Sequence, residues 1–370
     1  MSDHLHATWL TIDLDTVAAN YRLLQGKLDA AGAKAGAAVK GNGYGLGARQ
    51  VVRALAGAGC EDFFVAHPHE GVVVRDELPN VRIHVLNGPL PDAVDDYLHH
   101  DLIPVLNSLG DVELWRNAAK ARGKFLAADL HIDTGMCRLG LDLAETETFL
   151  NAAEELLEGI DLGLVMSHLA SADVPNSDQS AHQLKLFGTA FERLERGQGS
   201  LCNSSGIFLG PDYHFSVARP GVALYGGNPT PHLKNPMANP VRLEARVLQV
   251  RRVDKPETVG YGATHAVEGA RRVATVPIGY ADGFLRLGSN SGFAMIGGHK
   301  APIVGRVSMD LITLDVTNVP DHLTRAGAVA EFMGDHRTPD DLARDWQTIP
   351  YEVLTGLGQR YARTYKGAGA

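Results

Sequence analysis

Eight short apolar runs in the first 220 residues constrain the fold of this chain more than any other feature of its sequence. They cover residues 37–40, 63–66, 83–86, 103–106, 130–133, 164–168, 201–204 and 217–219. Amphipathic stretches of helical period separate them, for example 49–58, 109–121 and 181–195. Eight strands joined by crossover helices predict a (β/α)8 barrel rather than an open doubly wound sheet. In such a barrel the chemistry gathers at the carboxyl ends of the strands.

The sequence changes character around residues 227–240, where prolines and asparagines without periodicity mark a connection. Beyond it, residues 241–250, 272–277, 293–296, 301–304 and 311–316 predict strands separated by glycine or proline turns. We therefore expect an α/β chain with a (β/α)8 barrel over residues 9–230. A mainly β domain is expected over residues 237–370, joined by residues 1–8.

The composition and charge of the chain argue against several classes of binding partner. A formal net charge of −9 disfavours nucleic acid or an anionic membrane as the main partner. The N-terminus lacks a basic region followed by an apolar core, and no apolar run approaches membrane-spanning length. The three cysteines are far apart, and no group of residues has the spacing of metal ligands. We expect a cytoplasmic protein with no metal, no nucleic acid and no membrane partner.

Lys40 stands where the first apolar run meets a glycine-rich turn, with four glycines in the seven residues that follow it. A strand end of this kind holds a lysine out of water, which lowers the pKa of its amine and makes the neutral, nucleophilic form available. The alternative is a surface lysine beside a flexible turn. The apolar residues before Lys40 and the glycines after it favour the buried amine.

The ends of the last two runs are rich in small polar residues. They read Asn203-Ser204-Ser205-Gly206 and Arg219-Pro220-Gly221-Val222. Barrels of this kind often bind phosphate after their seventh and eighth strands, through backbone N–H groups and hydroxyls. Taken alone, Asn-Ser-Ser-Gly is an ordinary turn sequence. The count of eight strands favours an anion-binding site instead.

The segment around Lys40 resembles the cofactor-lysine segment of the fold-type III pyridoxal phosphate enzymes, and in detail that of the bacterial alanine racemases. The match extends from Trp9 to Tyr361. It includes the segments DTGMCRLG (133–140), ETVGYGAT (257–264), VPIGYADG (276–283), GRVSMD (305–310) and TIPYEVLTG (348–356). Taken alone, each of the last three segments fits a β-turn, but the order and number of the matches make coincidence improbable.

The resemblance implies residue roles. Lys40 and Tyr261 would be the two catalytic bases, because a racemase needs a base on each face of a planar carbanion. The cofactor would be held by Lys40, Tyr44, His168, Asn203, Ser204, Arg219, Gly221, Val222 and Tyr351. The substrate would be held by Arg138, Met309 and Tyr280. Arg138 would also contact Tyr261, and Asp310 would support Met309.

Arg219 is implied to face the pyridine nitrogen of the cofactor. A permanently charged donor cannot accept a proton, so that nitrogen would stay unprotonated and the ring would be a weaker electron sink. This property suits racemisation and disfavours decarboxylation.

Two residues depart from the family pattern. His131 stands where many alanine racemases have a lysine, modified to a carbamate, that braces the arginine equivalent to Arg138. No carbamate can form on a histidine, so another anion such as chloride, or a different side chain, orients Arg138, or the arginine is held less firmly. Ser308 stands where cysteine is common.

The resemblance therefore predicts a pyridoxal phosphate-dependent alanine racemase that interconverts L-alanine and D-alanine and supplies D-alanine for peptidoglycan. It also implies a homodimer in which Tyr261 reaches the active site of the neighbouring subunit. The alternatives are a racemase of broader specificity that includes serine, a fold-type III amino-acid decarboxylase, and a single-domain, non-catalytic pyridoxal phosphate carrier.

Overall fold

The structure is a computed structural model that describes residues 5–368 of the 370. Residues 1–4 and 369–370, which belong to the expected mainly β domain, lie outside the described residues. The described chain divides into two compact units. The barrel unit comprises residues 18–224 and 228–236, and the β unit comprises residues 5–17, 225–227 and 237–368.

The barrel unit contains a parallel sheet of seven strands that follow one another in chain order. The strands are Ala37–Ala38, Asp62–Val65, Arg82–Val85, Ile103–Leu106, Leu126–His131, Ile160–Met166 and Gln198–Ser200. The helices of this part of the chain are Leu14–Leu28, Ala48–Gly57, Pro68–Glu77, Val94–His99, Leu109–Arg122, Leu143–Asn151, Ala153–Leu156 and Asp178–Leu194. The alternation of strand and helix is the one that the apolar runs predict.

An eighth strand, Val217–Ala218, closes this sheet. It pairs in parallel with Lys34–Ala35, and the N–H of Ala38 donates to the carbonyl of Pro220 at 2.9 Å. On its other side, the N–H of Arg219 donates to the carbonyl of Cys202 at 2.8 Å. The last strand thus joins both ends of the seven-stranded sheet, and the predicted barrel is confirmed.

Four predicted barrel strands have bounds that differ by more than one residue. The strands predicted at 130–133 and 164–168 each begin four residues earlier, at Leu126 and Ile160. The strand predicted at 37–40 ends at Ala38, because Lys40 already begins a turn. The strand predicted at 201–204 lies at Gln198–Ser200, where no residue is strongly apolar. Leu201 and Cys202 lie just beyond the strand end and are fully buried. Their apolar side chains therefore indicate a buried segment, not a paired strand.

The β unit contains a six-stranded sheet, a three-stranded sheet and a two-stranded hairpin. Its strands are Thr8–Asp13, Val241–Arg246, Gln249–Val253, Thr258–Val259, His265–Ala266, Arg271–Val276, Phe293–Ile296, His299–Pro302, Ile312–Asp315, Val329–Met333 and Ala362–Lys366, and its helices are Pro339–Asp345 and Pro350–Thr355. The predicted single strand 241–250 is two strands. The N–H of Val247 donates to Ala328, whereas that of Leu248 donates to Thr275 of the other sheet, so the chain changes sheets there.

The first strand of the chain, Thr8–Asp13, pairs with Val241–Arg246 on one side and with Ala362–Lys366 on the other. The structure therefore places residues 9–17 in the β unit, whereas the barrel predicted from the sequence begins at residue 9. The reason is that this strand finds its hydrogen-bond partners more than 200 residues away. No helix among the described residues has both the length and the apolar character needed to cross a bilayer.

Candidate active site

Lys40 begins a turn of left-handed backbone at the mouth of the barrel. The φ angles are 62° at Gly41, 56° at Asn42, 62° at Gly43 and 53° at Tyr44. Glycine adopts such angles freely, but a residue such as Tyr44 does so at a cost of about 1–2 kcal/mol. Strain of this kind is typical of functional sites, where the surrounding structure maintains it.

Glu70, which is not among the residues predicted from the sequence, fixes this turn. Its carboxylate oxygens accept hydrogen bonds from the N–H groups of Gly41 (2.6 Å), Ala66 (2.9 Å) and His67 (3.1 Å). The side chain therefore ties the turn after Lys40 to the end of the next strand. A signal was present, because Glu70 is the third residue of a helix that begins after His67, the position of a capping box.

Burial lowers the pKa of the Lys40 amine, and the guanidinium groups of Arg138 and Arg219 lower it further. The carboxylate of Glu70 acts in the opposite direction. The net direction is downward, as predicted from the sequence for a lysine held out of water. A larger fraction of this amine is therefore neutral near pH 7 than of an exposed lysine.

Arg219 is anchored by neutral oxygen atoms. Its Nη1 donates to the carbonyl of Ser200 at 2.8 Å and to the hydroxyl of the same residue, and its Nη2 donates to the carbonyl of Ser167. Burial lowers the pKa of Arg219 to about 10, so the group still carries its charge at neutral pH. Of its five N–H donors, the one on Nε and one of the two on Nη2 make no hydrogen bond to any described residue, which leaves two donors for a ligand.

The loops after the last two strands form a set of hydrogen-bond donors. The hydroxyl oxygen of Ser204 accepts from the N–H groups of Gly221 (2.8 Å) and Ala223 (3.3 Å), so its own proton remains to be donated. Among the described residues, the N–H groups of Ser204 and Val222 have no acceptor. Asn203 holds this loop by accepting from the N–H of Gly206 at 3.0 Å. A phosphate could accept hydrogen bonds from these donors.

Gly221 lies directly against the ring of Tyr44. A Cβ atom built on Gly221 would lie 2.0 Å from the hydroxyl oxygen of Tyr44 and 2.8 Å from the ring carbon that carries it. Both residues are buried in the barrel unit, with Tyr44 7% exposed. Only glycine leaves room for the phenol at this position, which brings Tyr44 to the same place as the Ser204 donors.

His131 is held in one tautomer. Both amide hydrogens of Asn107 are used, by the carbonyls of Leu86 (3.1 Å) and Val105 (2.9 Å), so the Asn107 oxygen faces the imidazole. It accepts from Nδ1 of His131 at 2.8 Å, which leaves Nε2 as a neutral acceptor. Burial and the charge of Arg219 lower the pKa of His131 to about 4.

The loop that carries Arg138 is closed at its base. The N–H of Leu141 donates to the carbonyl of His131, and the N–H of Asp133 donates to the carbonyl of Leu141, both at 2.8 Å. Arg138 itself is exposed and makes no hydrogen bond or ion pair with any described residue. Its charge nevertheless lowers the pKa values of Lys40, His131 and His168, which indicates that they lie near one another.

His168 follows the strand Ile160–Met166 and is half-buried. Burial lowers its pKa well below the usual value, and the charges of Arg219, Arg138 and Lys40 add to this effect. The imidazole is therefore neutral. Its backbone carbonyl accepts from the buried amide of Gln183 at 2.8 Å, which fixes the strand end.

The remaining predicted residues lie in the β unit. Tyr261 is 71% exposed, in a short helical turn between the strands of the hairpin. It lines an open cavity of about 330 Å³ together with Gly260, Thr275, Arg306, Ser308, Leu311 and Thr313. Tyr280 (44% exposed), Met309 (53%) and Tyr351 (39%) also present their side chains to solvent. The β unit thus exposes three tyrosines and one methionine that were predicted from the sequence to act at the site.

Comparison with known proteins identifies the family. A family model described as the N-terminal domain of alanine racemase matches residues 12–229, and one described as its C-terminal domain matches residues 240–365. The chain is 48% identical over 359 residues to an alanine racemase from Rhodospirillum rubrum, with 97% of this chain and 96% of the relative covered. It is 44% identical over 370 residues to one from Brucella canis, with 96% and 93% covered.

Solved structures agree with this result. The crystal structure of alanine racemase from Bartonella henselae with covalently bound pyridoxal phosphate superimposes with a TM-score of 0.93 at 38% identity, covering 98% of this chain and 100% of that one. The biosynthetic alanine racemase from Pseudomonas aeruginosa gives a TM-score of 0.90 at 32% identity, with the same coverage. The chain belongs to the alanine racemase family.

Proposed function

We propose that this protein is a pyridoxal phosphate-dependent alanine racemase that interconverts L-alanine and D-alanine. The observation that carries the proposal is the barrel mouth, where a lysine of lowered pKa lies within the electrostatic influence of an arginine whose Nε is left without a protein acceptor. Relatives that bear the name alanine racemase align over almost the whole chain, and that of Bartonella henselae binds pyridoxal phosphate covalently.

The residues of the barrel mouth fit this cofactor. Lys40 would hold its aldehyde carbon, Arg219 its ring nitrogen, and the donors of Ser204 and Val222, with Tyr44, its phosphate. When bound, pyridoxal phosphate supplies an electron-withdrawing ring that makes the Cα–H of an attached amino acid acidic. Arg219 remains protonated and therefore delivers no proton to the ring nitrogen, which favours return of the proton to Cα over other outcomes.

Two side chains would move the proton at Cα. Lys40 and the phenol of Tyr261 would act on opposite faces, one removing the proton while the other donates, with the roles exchanged for the opposite enantiomer. Arg138 and the N–H of Met309 would hold the carboxylate, and Tyr280 would lie beside the methyl group. Discrimination by such a pocket against one added group is worth only about 1–3 kcal/mol, so activity on serine belongs in the assay.

We infer that the active enzyme is a homodimer, with Tyr261 acting in the site of the partner subunit. The support is the exposure of Tyr261, Tyr280, Met309 and Tyr351, which a second subunit would cover. The supply of D-alanine for peptidoglycan in a bacterial cytoplasm is likewise our proposal, supported by membership of the family.

The test is incubation with L-alanine in deuterated water. Formation of D-alanine with deuterium at Cα is the expected result, and Lys40→Ala is expected to lose both the imine absorbance of the cofactor and racemisation. Evolution of carbon dioxide without D-alanine would indicate a decarboxylase, and cofactor binding without exchange at Cα would indicate a carrier protein. Either result would contradict the proposal.

Shared active sites have a separate test. Lys40→Ala and Tyr261→Phe proteins, each inactive or nearly so, should regain activity when mixed under conditions that allow subunit exchange, because one site of the mixed dimer keeps both native side chains. Mixing two samples of Lys40→Ala is the control. Proven exchange without recovery of activity would show that both bases come from one chain.

A further inference from the structure

An ion pair in the β unit joins a buried carboxylate to an arginine near the end of the chain. The Asp282 side chain is 3% exposed, and Arg360 donates to its two oxygens from Nε (2.7 Å) and Nη2 (2.8 Å). The N–H of Gly279 donates to the same carboxylate at 2.9 Å. Every oxygen of this buried group therefore has a donor, and the pair meets the condition under which a buried charge is tolerated.

Arg360 has a further partner. Its Nη1 donates to Asp310 at 2.7 Å, and the Asp310 side chain is 56% exposed. Burial of Asp282 does not require this third contact, because Asp282 is already satisfied. The guanidinium is a rigid planar fork, so binding both carboxylates fixes the distance and angle between them.

The two carboxylates belong to the chain segments that contain residues of the proposed substrate pocket. Asp282 lies in the turn that begins with Tyr280, and Asp310 follows Met309. These two segments also meet through backbone bonds, since Tyr280 donates to the carbonyl of Ser308 and Ala281 to that of Met309, both at 3.0 Å. Among the described residues the N–H of Met309 has no acceptor, so it is free to bind a ligand.

Asp282 also contacts the segment that follows Tyr351. The N–H of Gly358 donates to the carbonyl of Asp282 at 2.9 Å, just beyond the helix Pro350–Thr355. Arg360 and Asp282 thus stand where three chain segments converge, and each of the segments presents one exposed residue of the proposed pocket.

We propose that Arg360 is a positioning residue for the racemase reaction. By binding Asp310 and Asp282 at the same time, it fixes the position of the Met309 N–H relative to the Tyr280 phenol. The inference rests on the proposed function. In this proposal the Arg360–Asp310 contact supports binding of the substrate carboxylate. The Arg360–Asp282 contact anchors the arginine so that it can hold Asp310 in place.

The decisive variant is Asp310→Asn, because it weakens the exposed contact and leaves the buried pair intact. We expect the KM for alanine to rise about tenfold, the effect of one charge-assisted hydrogen bond, while kcat changes by less than about threefold. The dissociation constant of propionate, which is alanine without its amino group, should rise in parallel in calorimetric titration of the holoenzyme. Arg360→Lys, which keeps the charge but loses the fork, should show the same split with a lower Tm.

The control is Arg344→Lys, which removes the fork of an exposed arginine paired with Asp341 in the same unit. It should leave KM and kcat unchanged. If the wild-type enzyme does not racemise alanine, the proposed function fails. If it does, and Asp310→Asn binds alanine and propionate like the wild type, the positioning role is overturned. A parallel fall of kcat and Tm with unchanged KM would likewise overturn it, since that result indicates only structural support.

Discussion

Substitution of Gly221 by alanine tests the link between the backbone of the barrel and the proposed phosphate site. The φ of Gly221 is outside the left-handed region, so an alanine there introduces no backbone strain, and steric overlap alone decides the outcome. The new Cβ would lie 2.0 Å from the Tyr44 hydroxyl, where ordinary contacts begin at 3.4 Å. Tyr44 is buried and held in a left-handed turn, so it cannot simply turn away.

The expected magnitude follows from this overlap. Adding a methyl group to a well-packed site costs about 1–3 kcal/mol. If Tyr44 and the Ser204 loop bear that cost by moving apart, the affinity for pyridoxal phosphate falls by about tenfold to about a hundredfold. We expect this loss in an absorbance titration of the apoenzyme with pyridoxal phosphate, together with a lower Tm.

Two further variants make the test specific. In the Tyr44→Phe background the nearest contact becomes the ring carbon at 2.8 Å, so Gly221→Ala should cost less there than in the wild type. Gly188→Ala, in a helix where an added Cβ meets nothing within 4 Å, should leave the affinity unchanged. Wild-type affinity of Gly221→Ala, or an equal loss in both backgrounds, would refute the reasoning.

Two other predictions concern buried histidines. Burial opposes the charge of His84, but the carboxylates of Asp129 (2.6 Å) and Asp62 (3.2 Å) raise its pKa from 6.5 to about 9. A raised pKa contributes stability that is complete below about pH 6.5 and is lost as the pH rises through 9, about 3 kcal/mol in all. Urea unfolding at pH 6 and pH 10 should show this loss, and His84→Gln should abolish it; a loss of the same size in the variant would assign it elsewhere. Asn107→Asp should raise the pKa of His131 above about 4 in an NMR titration, because a carboxylate then accepts from Nδ1. An unchanged pKa would show that the contact does not control the imidazole.

Much of the fold could be predicted from periodicity. Four of the eight barrel strands agree with the apolar runs to within one residue, and three more overlap them in part. The helix Leu109–Arg122 begins after Ser108, whose hydroxyl accepts from the N–H of Asp111. Such signals are local, because a strand or helix is marked by residues a few positions apart. The strand Gln198–Ser200 escaped prediction because its burial comes from neighbours in the barrel and not from its own side chains.

The residues of the site divide in the same way. Lys40 and Arg219 were identified because each stands at a strand end within a recognisable segment. Such a segment can be recognised from its sequence alone, before the packing around it is known. Glu70, Asn107 and Arg360 were missed, because each acts on a residue between 24 and 78 positions away. For Glu70 the capping-box position indicated the contact with His67, but nothing in the residues next to these three side chains indicates the distant partner.

The sequence by itself determined the order of strands and helices, the change to a β domain and the identity of the groups that could do chemistry. The tertiary structure alone decided that the first strand joins the last, that His131 is a neutral acceptor rather than a cation, and that one arginine unites two pocket loops. The physical reason is that period and propensity depend on neighbours along the chain. Strand pairing, the tautomer of a histidine and the geometry of an ion pair depend instead on groups that are distant in the sequence and that folding buries against one another.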